Sequence, residues 1–354
     1  MTEVDINAKV SSSTEYGTVS PSHILQVLTK LRSLSEPTKL KIKLAISAVL
    51  FGSLFVLGKI DLSKSWQAAK HADYRYLCLA VGVFLSTTFI NAYRWKLLAR
   101  AVGINCSFGK LAQYSFVGLF FNLFFPSTVG GDFSRCYYLY KDTHNYRSAF
   151  YSVLADRAVG ISVLFLFASA AMLLSPGGEG LPAQLRIPIF IGTFGVFCIV
   201  PLMPVITRLT LGSSNWLTRQ FNESAAKVFW QDKSLIFSCF LLSIFLQVVI
   251  VGCHIAIGYA LGLSSIPLWY YFVFYPSVAV LGFITPSFNG IGIREWAYTY
   301  FLMLVGVDRA SALTYAIMWL GLTTISSLIG GLVYLAGHFT FSKAEAEELR
   351  HQAL

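Results

Sequence analysis

Charge is scarce in this chain, and other absences narrow its function further. Only 12% of the 354 residues are Asp, Glu, Lys or Arg, about half the ~25% usual in soluble domains, so an ordinary soluble fold is excluded. The sequence contains no Ser-His-Asp order, paired catalytic carboxylates, nucleotide-binding glycine loop, HExxH or aspartate-rich metal motif. No catalytic constellation, cofactor or metal is therefore expected, and nothing points to ATP as a driving force. Six cysteines (Cys78, Cys106, Cys136, Cys198, Cys239, Cys253) are scattered without a CxxC pair and read as packing residues. No basic, aromatic-interleaved soluble domain exists, so the net charge of +10 does not point to nucleic acid. It suits anionic headgroups and membrane orientation instead. Met1 to Ser20 lacks an apolar core of the leader type, so the first true span is expected to serve as an uncleaved anchor.

What is abundant is apolar surface: 55% of residues are hydrophobic and the mean hydropathy is +0.63. The pattern predicts an all-α polytopic membrane protein. Residues 1–40 read as a disordered and interfacial cytoplasmic segment, 41–340 as the transmembrane domain and 341–354 as a cytoplasmic tail. Apolar runs at 42–60, 76–93, 149–175, 187–206, 234–261 and 310–339 are long enough to span a core of ~30 Å. Arg94, Lys96, Arg100 and Lys110 are read as the connection after the second run. Shorter apolar segments, 111–125 and 266–285, each end in a proline and glycine break.

The two breaks are alike. Phe125-Pro126-Ser127-x-x-Gly130-Gly131-x-x-x-Arg135 is answered by Thr285-Pro286-Ser287-x-x-Gly290-x-Gly292-x-Arg294-Glu295, with the prolines 160 residues apart. Each half reads span, amphipathic stretch, span, broken hairpin, long span, which defines repeats at about 41–175 and 186–340. If each break is the tip of a re-entrant hairpin, about six full spans remain. With cytoplasmic termini, basic residues then favour the inside by roughly three to one. Eight complete spans is the alternative, and it distributes basic charge about equally on both sides. The hairpin arrangement makes the repeat inverted, an architecture of transporters whose broken helices meet near the midplane.

Several polar groups fall inside these apolar segments, where charge is costly. A helix that begins after Pro-Ser-x-x-Gly-Gly offers free N–H groups and a positive dipole end to an anion. Arg135 adds a fixed charge suited to phosphate. Asp156 and Arg157 are adjacent, so they point about 100° apart and cannot pair with each other while facing one neighbour. They read either as a structural ion pair, Asp156 with Arg135 or Arg157 with Asp132, or as a switchable network around a lipid headgroup. Arg294 and Glu295 supply a comparable pair in the second half. Asn122, Ser127, Ser287 and Asn289 read as local caps or ligands, Gly130, Gly131 and Gly290 as backbone donors, and Gln247 and His254 as interhelical contacts.

Taken together, Arg94-Trp95-Lys96-Leu97-Leu98, Phe121-Asn122-x-x-Phe125-Pro126-Ser127-x-x-Gly130-Gly131-Asp132-x-x-Arg135, Asp156-Arg157-x-x-Gly160 and the Pro286 to Glu295 motif resemble the lysylphosphatidylglycerol synthase transmembrane family, over roughly residues 40–340. The resemblance implies a flippase-like module that moves a polar or anionic lipid, phospholipid or polyprenyl-linked, between leaflets of the cell (inner) membrane. Asp132, Arg135, Asp156, Arg157, Arg294 and Glu295 would be its functional charges. Only about a dozen polar residues follow the last span, so the aminoacyltransferase domain of the bifunctional members is not matched and no aminoacylation is expected. The expected partner is a membrane lipid, and a homo-oligomer is left open. A membrane-embedded lipid-linked glycosyl or phosphoryl transferase and a non-transporting envelope scaffold are the alternatives.

Overall fold

The long helices begin where an acidic or amide side chain can satisfy the N–H groups of a first turn. Asp73 accepts from Arg75 N (2.9 Å), Asn145 from Ser148 N (3.1 Å), Asp232 from Leu235 N (2.9 Å) and Asp308 from Ser311 N (3.1 Å). The computed structural model describes residues 66–67, 69–124, 129–174, 183–195, 232–284 and 292–337. Among them are nine helices and no strand: α1 (Tyr74–Ala101), α2 (Phe108–Phe124), α3 (Val129–Thr143), α4 (Tyr146–Leu174), α5 (Ala183–Phe194), α6 (Lys233–Ala260), α7 (Leu268–Ile284), α8 (Ile293–Leu304) and α9 (Arg309–Ala336).

Four of these, α1, α4, α6 and α9, contain stretches long and apolar enough to cross a membrane. Their outward faces carry bulky apolar side chains, including Phe89, Leu154, Phe237, Phe245, Leu332 and Leu335. In water such a surface would be unstable, so the chain is a multi-pass membrane protein. The run expected at 42–60 and the stretch at 207–231 lie outside the described residues.

The internal repeat is visible in the backbone. The first half runs α1, α2, α3, α4 with 28, 17, 15 and 29 residues, and the second runs α6, α7, α8, α9 with 28, 17, 12 and 28. Packing repeats as well. α2 lies against α9 as α7 lies against α4, α1 against α9 as α6 against α4, and each hairpin pair, α2 with α3 and α7 with α8, is in mutual contact. Even the turns correspond. Gly103 after α1 and Gly262 after α6 sit at φ 82° and 68°, where only glycine is unstrained. Ile104 N–H and Leu263 N–H then donate back to Ala99 O and Gly258 O, both at 2.9 Å, closing the same helix terminus.

The equivalent helices α1 and α6 run antiparallel along their length. Asp73 N–H donates to Ala260 O at 2.8 Å, the Tyr76 and Tyr259 rings stack at 5.8 Å, and further along Arg94 meets Ser243. Two copies of one unit whose first helices point in opposite directions are an inverted repeat. Glycines permit the closest crossings: a Cβ on Gly331 would meet the Phe120 ring at 2.7 Å, the small-residue contact typical of membrane helices.

Candidate functional site

A cavity of about 270 Å³ opens between α1, α2, α3, α4 and α6. Its polar lining is built around Asp156, about three turns inside α4. Asp156 Oδ1 accepts from Arg94 Nε at 2.8 Å, and Oδ2 accepts from Arg135 Nη2 at 2.9 Å, all three side chains being at least nine-tenths buried. Arg94 also donates through Nη1 to Ser243 Oγ (2.7 Å) and through Nη2 to Asn91 Oδ1 (2.8 Å) and Asp156 O (3.2 Å). One side chain thus ties α1 to α4 and to α6.

Arg94 corrects the sequence reading, which placed it in a connecting loop. α1 continues to Ala101, and the Arg94 side chain turns inward onto the Asp156 carboxylate. Gly160, one turn beyond Asp156, lies beside the guanidinium, where a Cβ would make an ordinary contact 3.4 Å from Nη2. The signal available in sequence was Asn91-x-x-Arg94, a polar pair on one helix face within an apolar run.

Arg135, on α3, is held from three sides. It meets Asp156, lies over the Trp95 ring at 4.1 Å, and approaches Asp132 with Nη1 to Oδ1 at 3.6 Å. Trp95 is fixed in turn by donating from its indole N–H to Ser152 Oγ at 3.1 Å. Arg157 turns the other way from Asp156 and pairs with Asp132 through Nε at 2.7 Å to Oδ1 and 2.6 Å to Oδ2. Both ion pairs foreseen between α3 and α4 therefore form, with Arg94 joining the first.

The hairpin crossing of α2 and α3 is equally tight. A Cβ on Gly131 would stand 2.5 Å from Gly118 O and 2.7 Å from Asn122 Oδ1. The Gly131 N–H donates to Asn122 Oδ1 at 2.7 Å, so this backbone donor is already capped, while Asn122 also borders the cavity. Gly130 is buried in the first turn of α3. Ser127, Ser287, Asn289 and Gly290, with Pro126 and Pro286, lie outside the described residues.

The second half contributes differently from the sequence expectation. Arg294 and Glu295 do not border this cavity; Gln247, Leu246 and Ile250 of α6 do. Glu295 is buried and accepts from Gly292 N–H at 2.6 Å, bracing the start of α8. Arg294 lies along Gly282 of α7, where a Cβ would come within 2.9 Å of its Nε. Gln247 accepts from Tyr275 OH (2.9 Å), and the Tyr275 ring rests on His254, whose Nδ1 and Nε2 lie 2.8 and 3.3 Å from the hydroxyls of Tyr315 and Tyr298. No group of three or more His, Cys, Asp or Glu that could hold a metal occurs among the described residues.

Outside the long helices, Lys110 and Tyr114 of α2 reach Asp142 at the end of α3, at 2.7 and 2.5 Å. Burial acts to raise the Asp142 carboxyl pKa, but these hydrogen bonds outweigh it and hold the group below its ordinary value.

Two curated archaeal proteins are similar to part of this chain. UPF0104 membrane protein PH1989 of Pyrococcus horikoshii is 28% identical over 123 residues, covering 34% of this chain and 37% of that protein. UPF0104 membrane protein MJ1595 of Methanocaldococcus jannaschii is 28% identical over 135 residues, 36% and 40% of the two chains. The chain thus matches about two fifths of the length of these relatives. No solved structure matches it. The family profile described as the lysylphosphatidylglycerol synthase TM region matches residues 41–331, most of the chain, and the chain belongs to that family.

Proposed function

We propose that this protein moves a polar or anionic lipid between the two leaflets of a membrane, without altering the lipid chemically. The observation that carries the reading is the buried Arg94–Asp156–Arg135 cluster at the edge of a cavity enclosed by apolar helices. Charged groups within membrane-spanning segments are costly even when paired, and they mark functional sites by default. A headgroup phosphate accepts the planar donor fork of arginine, while the acyl chains stay in lipid beside the outward apolar faces.

The hairpin pairs support the same reading. Helices of 17, 15, 17 and 12 residues are about 26, 22, 26 and 18 Å long, short of the ~30 Å core. As re-entrant elements they enter from opposite faces and bring polar backbone to the middle of the membrane. Opposed halves around one site suit alternating exposure, driven by the lipid gradient or by a coupled ion. The cell (inner) membrane, with both termini cytoplasmic, is the matching orientation. Purified protein in vesicles should accelerate leaflet exchange of at least one fluorescent anionic lipid over empty vesicles. If a panel of candidate lipids exchanges no faster than without protein, the reading fails.

A further inference from the structure

We infer that the cavity selects a phosphodiester headgroup bearing a single negative charge and no cationic substituent. This rests on the lipid-translocation reading and adds the charge class. Among the described residues around the site, the guanidiniums of Arg94, Arg135 and Arg157 face the carboxylates of Asp132 and Asp156, leaving one net positive charge.

Both carboxylates are already paired with arginine: Asp156 takes one arginine on each oxygen, and both oxygens of Asp132 lie within 2.7 Å of Arg157 Nε. The charge left over in the cluster is positive. The unsatisfied member is Arg135, whose side chain is 4% exposed. Its Nη1 is 3.6 Å from Asp132, too long for a hydrogen bond, and its Nε has no hydrogen-bond partner. A buried N–H on a charged group without an acceptor is rare and costly in a native structure. Arg135 Nε is itself covered by protein, but Arg135 and Arg157 both line the cavity, so the surplus positive charge of the cluster borders it.

A phosphodiester supplies two acceptor oxygens sharing one charge, which neutralises the site. A phosphomonoester dianion would leave it net negative. A headgroup with an ammonium would bring a cation toward three guanidiniums, which is strongly unfavourable at low dielectric. The other polar lining, Thr88, Asn122 and Gln247, is uncharged and suits hydroxyls. At ~30 Å³ per molecule the cavity has room for about nine waters, enough for a phosphate with a small polyol.

The test is equilibrium binding to the full chain in detergent micelles, using short-chain phosphatidylglycerol, phosphatidate and phosphatidylcholine with identical acyl groups, and chain-free glycerophosphoglycerol. Phosphatidylglycerol should bind at least about tenfold more tightly than the other two lipids. Asp132→Asn, which raises the site charge by one, should move the preference to phosphatidate. Arg157→Gln, which neutralises the site, should abolish the preference, and thermal unfolding reports whether each variant is folded. Equal affinities for the three lipids, or an unchanged ranking in the folded variants, overturn the inference. Glycerophosphoglycerol binding as tightly as the lipid would assign the site to a soluble phosphodiester. A preserved ranking without leaflet exchange sinks the translocation reading and keeps the charge class; exchange indifferent to headgroup charge does the reverse.

Discussion

On equivalent helices, the first half of the protein carries Arg94 and the second carries His254, one residue beyond the position that the Gly103 and Gly262 turns match to Arg94. Arg94 meets a carboxylate that it shares with a second arginine, at the edge of a cavity. His254 is fully buried among rings instead, stacked on Trp319 at 3.9 Å and hydrogen-bonded to Tyr315 and Tyr298. One backbone plan has thus been filled in two ways. The charged filling carries one surplus positive charge, whereas the aromatic filling is neutral. An inverted repeat with identical contents would give a symmetric site; here the charged groups at the cavity come from the first half and the second supplies the uncharged wall facing them.

Removing the centre of each half should separate the two fillings most clearly. Asp156→Ala leaves two buried guanidiniums without their carboxylate and should cost about 3–5 kcal/mol. His254→Phe keeps the stacking and leaves Tyr298 without its partner, while Tyr315 retains its bond to His254 O at 3.0 Å; about 1–3 kcal/mol is expected. Thermal unfolding in detergent measures both, and equal losses would break the comparison.

A smaller contrast lies in the hairpins. Gly131→Ala forces a methyl onto Gly118 O, a backbone atom that cannot swing aside, and should cost about 1–3 kcal/mol. Gly282→Ala meets the side chain of Arg294, which can move, so its loss should be smaller in the same assay. The reverse order would mean that the second hairpin is the more rigid one.

How much of this was legible beforehand depended on what each residue's neighbours are. Repeat and helix order could be read because proline, glycine and apolar run length act locally along the chain. The α3–α4 ion pairs could be named because Asp132, Arg135, Asp156 and Arg157 lie on consecutive helices. Arg94 could not: its partners Asp156 and Ser243 are 62 and 149 residues away, and beside Lys96 and Arg100 it looked like part of a solvated loop. The part of the second half that borders the cavity was hidden for a similar reason. The motif at 285–295 resembles its counterpart, but Glu295 braces its own helix, and the cavity wall comes from Gln247 on α6.

The smallest expected effect is at the mouth of the first hairpin. The Asp142 pKa is depressed when folded and near 3.9 when unfolded, so its contribution is complete above about pH 4. It is lost as pH falls through the lower folded value. Because Lys110 is largely exposed, the loss should stay below about 1 kcal/mol. Asp142→Asn should remove it from the acid limb of the unfolding midpoint, and an unchanged acid limb would show that the pair contributes nothing.

The most direct test of the division between halves is leaflet exchange of a fluorescent phosphatidylglycerol in vesicles, comparing wild type, Arg135→Gln and His254→Phe at matched protein incorporation. Exchange should exceed empty vesicles for wild type, fall to the protein-free rate for Arg135→Gln, and persist in His254→Phe. Exchange undiminished in Arg135→Gln, or absent in wild type, would contradict the assignment of lipid handling to the charged half.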